Sequence, residues 1–297
     1  MSNKPRKMTL EKKHNLTGWA FLAPATFLIA VFSFWPMIKA LVLSFQTGKG
    51  TNMQMAGFTN YIRMFQDDVF IQSIKNTFFY FVLQVPIMLV VAMVLACILN
   101  KKDLRFKGFF RTMIFLPCTT SLVAYSIIFR SLFANDGLVN YVLVNFGILD
   151  KPYNFLTQPF AAKMVIILAL LWRWTGYNMV FFLSGLQNIE SSVYEAAKID
   201  GASAIQTFFK ITVPVLKPTI LLTAIMSTNG TLQLFDESIN LTDGGPANAS
   251  ISMSHYIYNL CFKYVPNFGY AAAMSFFILL LVAVLAFIQM RVGDKRD

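Results

Sequence analysis

Residue types that make or break covalent bonds are sparse in this 297-residue chain, and they are not grouped. The two histidines, His14 and His255, lie near opposite ends of the sequence and form no evident metal-ligating pair. Cys97, Cys118 and Cys261 make no C-x-x-C pair, no zinc spacing and no disulfide framework, and read as small apolar core residues. There is no H-E-x-x-H, and Gly48-Lys49-Gly50-Thr51 lacks the upstream glycine of a phosphate-binding loop. The sequence offers no catalytic residue, no metal site and no cofactor bound by this chain. Its chemistry is expected to be binding and movement.

Two polar stretches interrupt otherwise apolar runs. One reads Trp172-Arg173-Trp174-Thr175-Gly176-Tyr177-Asn178; the other reads Ser227-Thr228-Asn229-Gly230-Thr231-Leu232-Gln233, followed by Asp236 and Glu237. Hydroxyls and amides exchange hydrogen bonds with a polyhydroxylated ligand, and flat rings stack on sugar C–H faces. A substrate pathway would draw on Arg173, Thr175, Gly176, Tyr177, Asn178, Ser227, Asn229, Thr231 and Gln233. The competing reading is that these small polar residues help helices pack. Arg173 either meets the ligand or pairs with Asp236 or Glu237, as a structural ion pair or an outer gate.

A third feature spans residues 186–218. Ser192-Val193-Tyr194-Glu195 has the capping-box pattern, so a helix is expected to start at Ser192. Gly201 sits where a left-handed C-terminal cap is wanted. Helix formers resume from Ala202 to Ile211, Pro214 should end that stretch, and Pro218 suits the first turn of the next helix. The segment is therefore two short helices meeting in a sharp turn at Gly201. Ala196, Ala197 and Ala202 keep the turn thin enough for another protein to approach, and Tyr194, Phe208, Phe209 and Ile211 offer apolar anchors. The alternative is a loop packed only on its own bundle.

Composition says what must position these features. Hydrophobic residues make up 56% of the chain and charged residues 13%, against about 25% charged in soluble proteins. Disorder is excluded by the same numbers. The apolar residues fall into six runs, roughly 17–45, 76–99, 112–129, 163–186, 214–235 and 268–290, each about the length of a membrane-crossing helix. The expected fold is an all-α integral membrane protein of six transmembrane helices, with two short helices in the loop 187–213 between spans 4 and 5. The first run continues well past Ala23-Pro24-Ala25, too far for a signal peptide, and reads as an uncleaved span bent at Pro24 and Pro36.

Charge sets the orientation. With segment 1–16 inside, the inner segments hold 16 Lys/Arg and the outer loops five, namely Lys49, Arg63, Lys75, Lys151 and Lys263. This positive-inside bias puts both termini, including the tail 291–297, in the cytoplasm. The net charge of +11 is thus a membrane-orientation feature meeting anionic lipid, not a nucleic-acid patch. Counting 13 residues from the inner loop along spans 4 and 5 reaches Arg173 and Ser227, about 20 Å deep. If the spans are neighbours, the two polar stretches face each other. Outer-loop aromatics such as Tyr61, Tyr153 and Tyr256 read as an interface belt or a docking surface.

Glu195-Ala196-Ala197, three residues, Gly201, nine residues, Ile211, one residue, Pro214 resembles the EAA motif of binding-protein-dependent ABC importer permeases. Asp200-Gly201-Ala202 is similar to the form in the sugar-importing branch; Val213 replaces a usual leucine. Phe21-Leu22-Ala23-Pro24, Asn60-Tyr61, Phe115-Leu116-Pro117 and Thr242-Asp243-Gly244-Gly245-Pro246 extend the resemblance to the maltose/lactose/glycerol-phosphate type. It implies a bacterial inner-membrane permease subunit that translocates a sugar, an oligosaccharide by preference, with glycerol phosphate or another small polar solute as the alternative. It also implies partners: a second, related permease subunit as a heterodimer, two copies of an ABC ATPase carrying ATP and Mg, and an extracytoplasmic solute-binding protein. Glu195, Ala196, Ala197, Asp200, Gly201, Ala202, Phe209, Ile211 and Pro214 would form the ATPase-coupling loop. In the maltose type the sugar contacts match roughly Thr175, Gly176, Ser227 and Thr231. A self-sufficient secondary transporter would need embedded acids that spans 2, 3 and 6 lack, and a membrane enzyme would need a catalytic cluster.

Overall fold

The computed structural model describes residues 9–49, 52–101 and 103–293. The first eight residues of the N-terminal segment, Lys102 and the last four residues of the tail lie outside these.

The first apolar run forms one 35-residue rod, Leu10–Ser44, made of α1 (Leu10–Ile29), a π-helical turn (Ala30–Phe34) and α2 (Trp35–Ser44). α1 continues through Pro24. Pro36 has no N–H for the carbonyl one turn back, and the backbone widens just before it instead of breaking. A small hairpin follows, β1 (Gln46–Lys49) antiparallel to β2 (Asn52–Met55) with Gln46 opposite Met55. No strand was expected there from the residue pattern.

After α3 (Thr59–Met64), the second run becomes α4 (Asp68–Asn100), 33 residues and longer than expected. Its start is set by Asp67, whose Oδ1 accepts from the N–H groups of Val69 (3.0 Å) and Phe70 (3.2 Å). The other carboxylate oxygen accepts from the hydroxyls of Tyr256 and Tyr270, each at 2.7 Å. Burial alone would raise this carboxyl; the two tyrosines and the two backbone donors outweigh it and hold the group below the usual carboxylate range.

The third run is not one rod. It divides into α5 (Lys107–Thr119) and α6 (Leu122–Leu132), bent by 99° around Thr120-Ser121. Next come α7 (Leu138–Asn145) and α8 (Pro159–Gln187). The elbow segment holds α9 (Ser191–Ile199), α10 (Ala204–Thr207), a π-helical turn (Phe208–Thr212) and α11 (Val213–Val215). It meets α12 (Lys217–Leu232) at 70°. Pro214 therefore does not end the elbow helix. It is absorbed by the π turn before it, as at Pro36, and the corner falls at Leu216, so the fifth span starts later than expected. α13 (Asp236–Thr242), α14 (Met253–Tyr258), a last π turn (Asn259–Lys263) and α15 (Phe268–Gly293) complete the chain.

Among the described residues, four helical rods are long and apolar enough to cross a membrane: Leu10–Ser44, α4, α8 and α15; counting each bent pair as one span gives up to six. α4 and α8 are the central pair. Toward the elbow they bury Ala92, Ala96, Met179, Phe182 and Leu186 with Leu216. Toward the other end Tyr80, Tyr125, Ile166 and Leu170 pack with Leu241 of α13. No residue of α1 is buried.

The loop 236–267 is organised around His255, which is fully buried. Its Nδ1 lies 2.9 Å from the Ser238 hydroxyl, and its Nε2 has no hydrogen-bond partner and lies 3.7 Å from Asp243. Asp243 is itself held by Lys263 Nζ at 2.9 and 3.0 Å. Burial pushes the imidazole down to about 4; Asp243 pulls it part-way back up and Lys263 opposes that. The folded value lies below the ordinary 6.5, so between the two the unfolded chain binds a proton that the native chain refuses. Stability from this site is complete above pH 6.5 and falls as pH drops toward 4. At pH 5 the loss should reach about 2 kcal/mol. Protection factors of the amides at residues 242–255, which allow for the slower intrinsic exchange at lower pH, should fall between pH 7 and 5, and His255→Asn should flatten that dependence.

Candidate functional site

A cavity of about 300 Å3 lies where α4, α8, α12 and α13 converge. Helical spacing places Trp174, Tyr177 and Asn178 of α8 opposite Ser227, Gly230 and Thr231 of α12, with Gln84 and Met88 of α4 closing the wall. The polar groups are cross-linked between helices. Ser227 Oγ donates to Asn178 Oδ1 (3.3 Å), and Thr231 Oγ1 donates to Gln84 Oε1 (2.8 Å). Gln84 Nε2 and Asn178 Nδ2 both approach the Met88 sulfur, at 3.1 and 3.5 Å. A thioether is a weak acceptor, so the Gln84 amide is held without a strong partner, while Asn178 Nδ2 also donates to Trp174 O at 3.0 Å. The Trp174 and Tyr177 rings meet edge to face, 5.8 Å apart.

The structure thus brings the two polar stretches together, but not every residue expected on the pathway faces the cavity. Tyr177, Asn178, Ser227, Thr231 and Gln233 line it, as do Asp236 and Glu237. Arg173, Thr175, Gly176 and Asn229 do not. Asn229 is exposed and accepts from Gln233 Nε2 at 2.5 Å. Thr175 is buried beside Gly176 on α8. Gly176 is where α5 crosses α8: a Cβ there would collide with the Ile114 carbonyl oxygen. Its smallness serves helix packing.

Arg173 makes no ion pair with Asp236 or Glu237; among the described residues the salt bridges are those of Asp243 with His255 and Lys263. The Arg173 guanidinium turns to the broken third span instead. Nη1 donates to the carbonyls of Pro117 (3.3 Å) and Thr120 (2.8 Å) and to Thr120 Oγ1 (3.2 Å), while Nη2 donates to Cys118 O (3.3 Å). The last carbonyls of α5 carry the negative end of its dipole, so a buried cation caps them, joining the Thr120 N–H and hydroxyl that also donate to Pro117 O. The same guanidinium sits 4.8 Å from the Tyr125 ring. Tyr125, on α6, donates its hydroxyl to the Glu237 carboxylate. Arg173 thus reaches the cavity wall only indirectly.

Gln84, Met88 and Trp174 were not among the expected pathway residues. Gln84 carried a signal, being the one amide in the apolar stretch 79–96; Met88 carried none.

At the elbow, Gly201 has φ +75°. Ala202 N–H donates to Ala197 O (2.9 Å) and Gly201 N–H to Lys198 O (3.2 Å), the paired bonds of a Schellman C-cap. The capping box is not at Ser192: α9 starts at Ser191 after Glu190, with no side-chain cap. It is at Ser203, whose Oγ accepts from Gln206 N–H (3.3 Å) while Gln206 Oε1 accepts from Ser203 N–H (2.8 Å). The turn between the two helices is therefore fixed on both sides. Ala197 is buried against the chain's own bundle and is unavailable to a visitor, whereas Glu195, Ala196, Asp200, Phe209 and Pro214 are exposed. Ala202 and Ile211 are half-buried, and Tyr194 is tied back to Thr212 at 3.3 Å. Two apolar residues missed by sequence reasoning stand out at the tip: Ile199 is 85% exposed and Ile205 72%.

A bundle of apolar helices, a cavity lined by both polar and apolar side chains, and a capped elbow are the architecture of a membrane permease. The chain belongs to the family described as binding-protein-dependent transport system inner membrane component, which matches residues 68–296. Hydrolysis of ATP is the work of a separate subunit in this family. The chain is 52% identical over 292 residues to the lactose transport system permease protein LacF of Rhizobium radiobacter, covering 98% of each. It is 33% identical to the multiple sugar-binding transport system permease protein MsmF of Streptococcus mutans, over 97% of this chain and 99% of that one. It is 30% identical to the sn-glycerol-3-phosphate transport system permease protein UgpA of Agrobacterium fabrum, over 95% and 96%. Among solved structures, a chain of a bacterial alginate ABC transporter in complex with an alginate pentasaccharide-bound periplasmic protein superposes with a TM-score of 0.84, at 25% identity and 98% coverage of both.

Proposed function

We propose that this chain is one of two related permease subunits of an ATP-driven sugar importer, and that it carries an uncharged oligosaccharide through the cavity between α8 and α12. The observation that carries the reading is the makeup of that cavity: amides, hydroxyls and two carboxylates set among three aromatic rings (Trp174, Tyr177 and Phe235) and an aliphatic wall, with no cation among the lining residues. Amides and hydroxyls match sugar hydroxyls. A phosphorylated solute would want cations at this depth, and Arg173, the one strong candidate, is engaged with α5. The name of the lactose relative points the same way.

The chain takes a six-span course with both termini cytoplasmic, set by the positive-inside count. The elbow around Gly201 docks on an ABC ATPase through Ile199, Ile205 and Phe209. Two ATPase copies bind ATP and Mg, and a solute-binding protein delivers the sugar on the outer side. Closure of the ATPases moves the elbows, and the two subunits rock to open the cavity outward, as in alternating access.

The test is uptake by the assembled transporter in vesicles, with lactose and glycerol 3-phosphate as probes. Lactose should be imported in preference. Gln84→Leu combined with Thr231→Val, which removes the interhelical pair together, should raise the KM for lactose about tenfold, since lost sugar hydrogen bonds weaken binding. Preferential import of the phosphate ester, or an unchanged KM in the double variant, would overturn the assignment.

A further inference from the structure

At the elbow end of the bundle a second cleft, about 610 Å3 in volume, opens between the end of α4, the start of α5 and α9. Its wall carries Lys101 at the C-cap of α4, Lys107 and Arg111 one turn apart on α5, and Lys198 in the last turn of α9. Glu195 is its one carboxylate, and none of the four cations forms an ion pair among the described residues. Arg111 is pinned by one bond, Nη2 to Leu99 O at 3.2 Å, which caps the end of α4. Its Nε is buried and has no hydrogen-bond partner. Leaving a buried charged donor unmatched is costly, and an acceptor oxygen entering the cleft would relieve it.

The flank of the cleft says what kind of molecule brings that oxygen. α5 runs away from Lys107 and Arg111 with Phe109, Phe110, Met113 and Leu116 all exposed, by 43–60%. A charged mouth continuous with an uncovered apolar helix face matches a headgroup with acyl chains attached. The position matches too: on the orientation proposed above, the cleft at the ends of α4 and α8 and the start of α5 would lie at the level of the cytoplasmic headgroups. Basic pockets between transmembrane helices on that side commonly take anionic lipid.

We infer that this cleft is a binding site for the phosphate of an anionic phospholipid, with the acyl chains lying along α5. A free phosphate ion shares the headgroup chemistry but gains nothing from the apolar flank. Because Lys198 belongs to α9, the bound lipid would tether the coupling elbow to the inner leaflet. The site rests on the membrane orientation proposed above and is independent of which solute is carried.

The experiment uses the full chain in its assembled transporter, delipidated in detergent and back-titrated with phosphatidylglycerol or phosphatidylcholine. Retained lipid is read by native mass spectrometry, with no transport measurement involved. Phosphatidylglycerol should be retained about tenfold better than phosphatidylcholine. Lys107→Gln with Lys198→Gln, which leaves the Arg111–Leu99 bond untouched, should lose most of that preference. Millimolar inorganic phosphate should not displace the lipid. Equal retention of the two lipids, an unchanged preference in the double variant, or displacement by phosphate each overturns the inference; the last would make the cleft a site for a soluble anion.

Discussion

Arg173→Leu should leave the protein about 3–5 kcal/mol less stable and reduce uptake to near background. The guanidinium donates to four acceptor atoms at the end of α5, all close to the 99° break. Removing one partner of a buried charged arrangement costs about that much, because the remaining groups stay buried and unmatched. No other described side chain donates to the Pro117, Cys118 and Thr120 carbonyls together. Without the cap, α6 loses its angle, and Tyr125 no longer presents its hydroxyl to Glu237. Arg173→Lys should recover only part of the loss, since an ammonium lacks the planar fork that spans Cys118 and Thr120. The measurement is thermal unfolding of the purified protein beside uptake. Wild-type unfolding with abolished uptake would place the guanidinium on the transport route instead.

Gly201→Val should uncouple the transporter while leaving the chain inserted and folded. A Cβ at Gly201 would meet no atom within 4 Å. The cost is therefore purely conformational: a β-branched residue at φ +75° is strained by about 1–3 kcal/mol. The elbow can relieve that strain only by opening the paired bonds from Gly201 and Ala202, which changes the angle at which α9 meets α10. Uptake should fall roughly tenfold or more as the strain is relieved, with membrane content unchanged. Gly201→Asn should keep most activity, because asparagine tolerates the left-handed region. Near-normal uptake in the valine variant would remove the elbow's rigidity from the mechanism.

These two positions also mark how far the sequence could be read. The conformation of Gly201 was legible because the demand is local: a helix ends, and the next residue must turn left. The partner of Arg173 was not. A lone cation in an apolar run suggests an acid, and the nearest acids in depth were Asp236 and Glu237; three backbone carbonyls and a threonine hydroxyl at the end of another helix leave no such trace in residue types. The break in span 3 was hidden for the same reason, since 112–129 is largely apolar on both sides of Thr120-Ser121 and the arginine that holds it lies on α8. α4, α8 and α15 were readable as apolar runs, but the start of α4 depended on Asp67, a polar residue that hydropathy discards. The capping box was misplaced because Ser192-x-x-Glu195 and Ser203-x-x-Gln206 fit the same pattern, and only the backbone entering each helix separates them. Gly176 read as a pathway residue from its polar stretch and from the family resemblance; the close approach of the Ile114 carbonyl to it has no counterpart in the sequence.

The seven-residue α13 has two faces with different neighbours. Its first turn supplies Asp236 and Glu237 to the cavity wall. Further along the same helix, Ser238 Oγ contacts Ser250 O, Ser252 N–H and His255 Nδ1, and Thr242 Oγ1 lies 2.7 Å from Ser250 Oγ. A helix this short turns as one piece. A load on the surface of the loop 236–267 would therefore be passed through α13 to the two carboxylates of the cavity wall, so that outer surface and cavity are mechanically one unit.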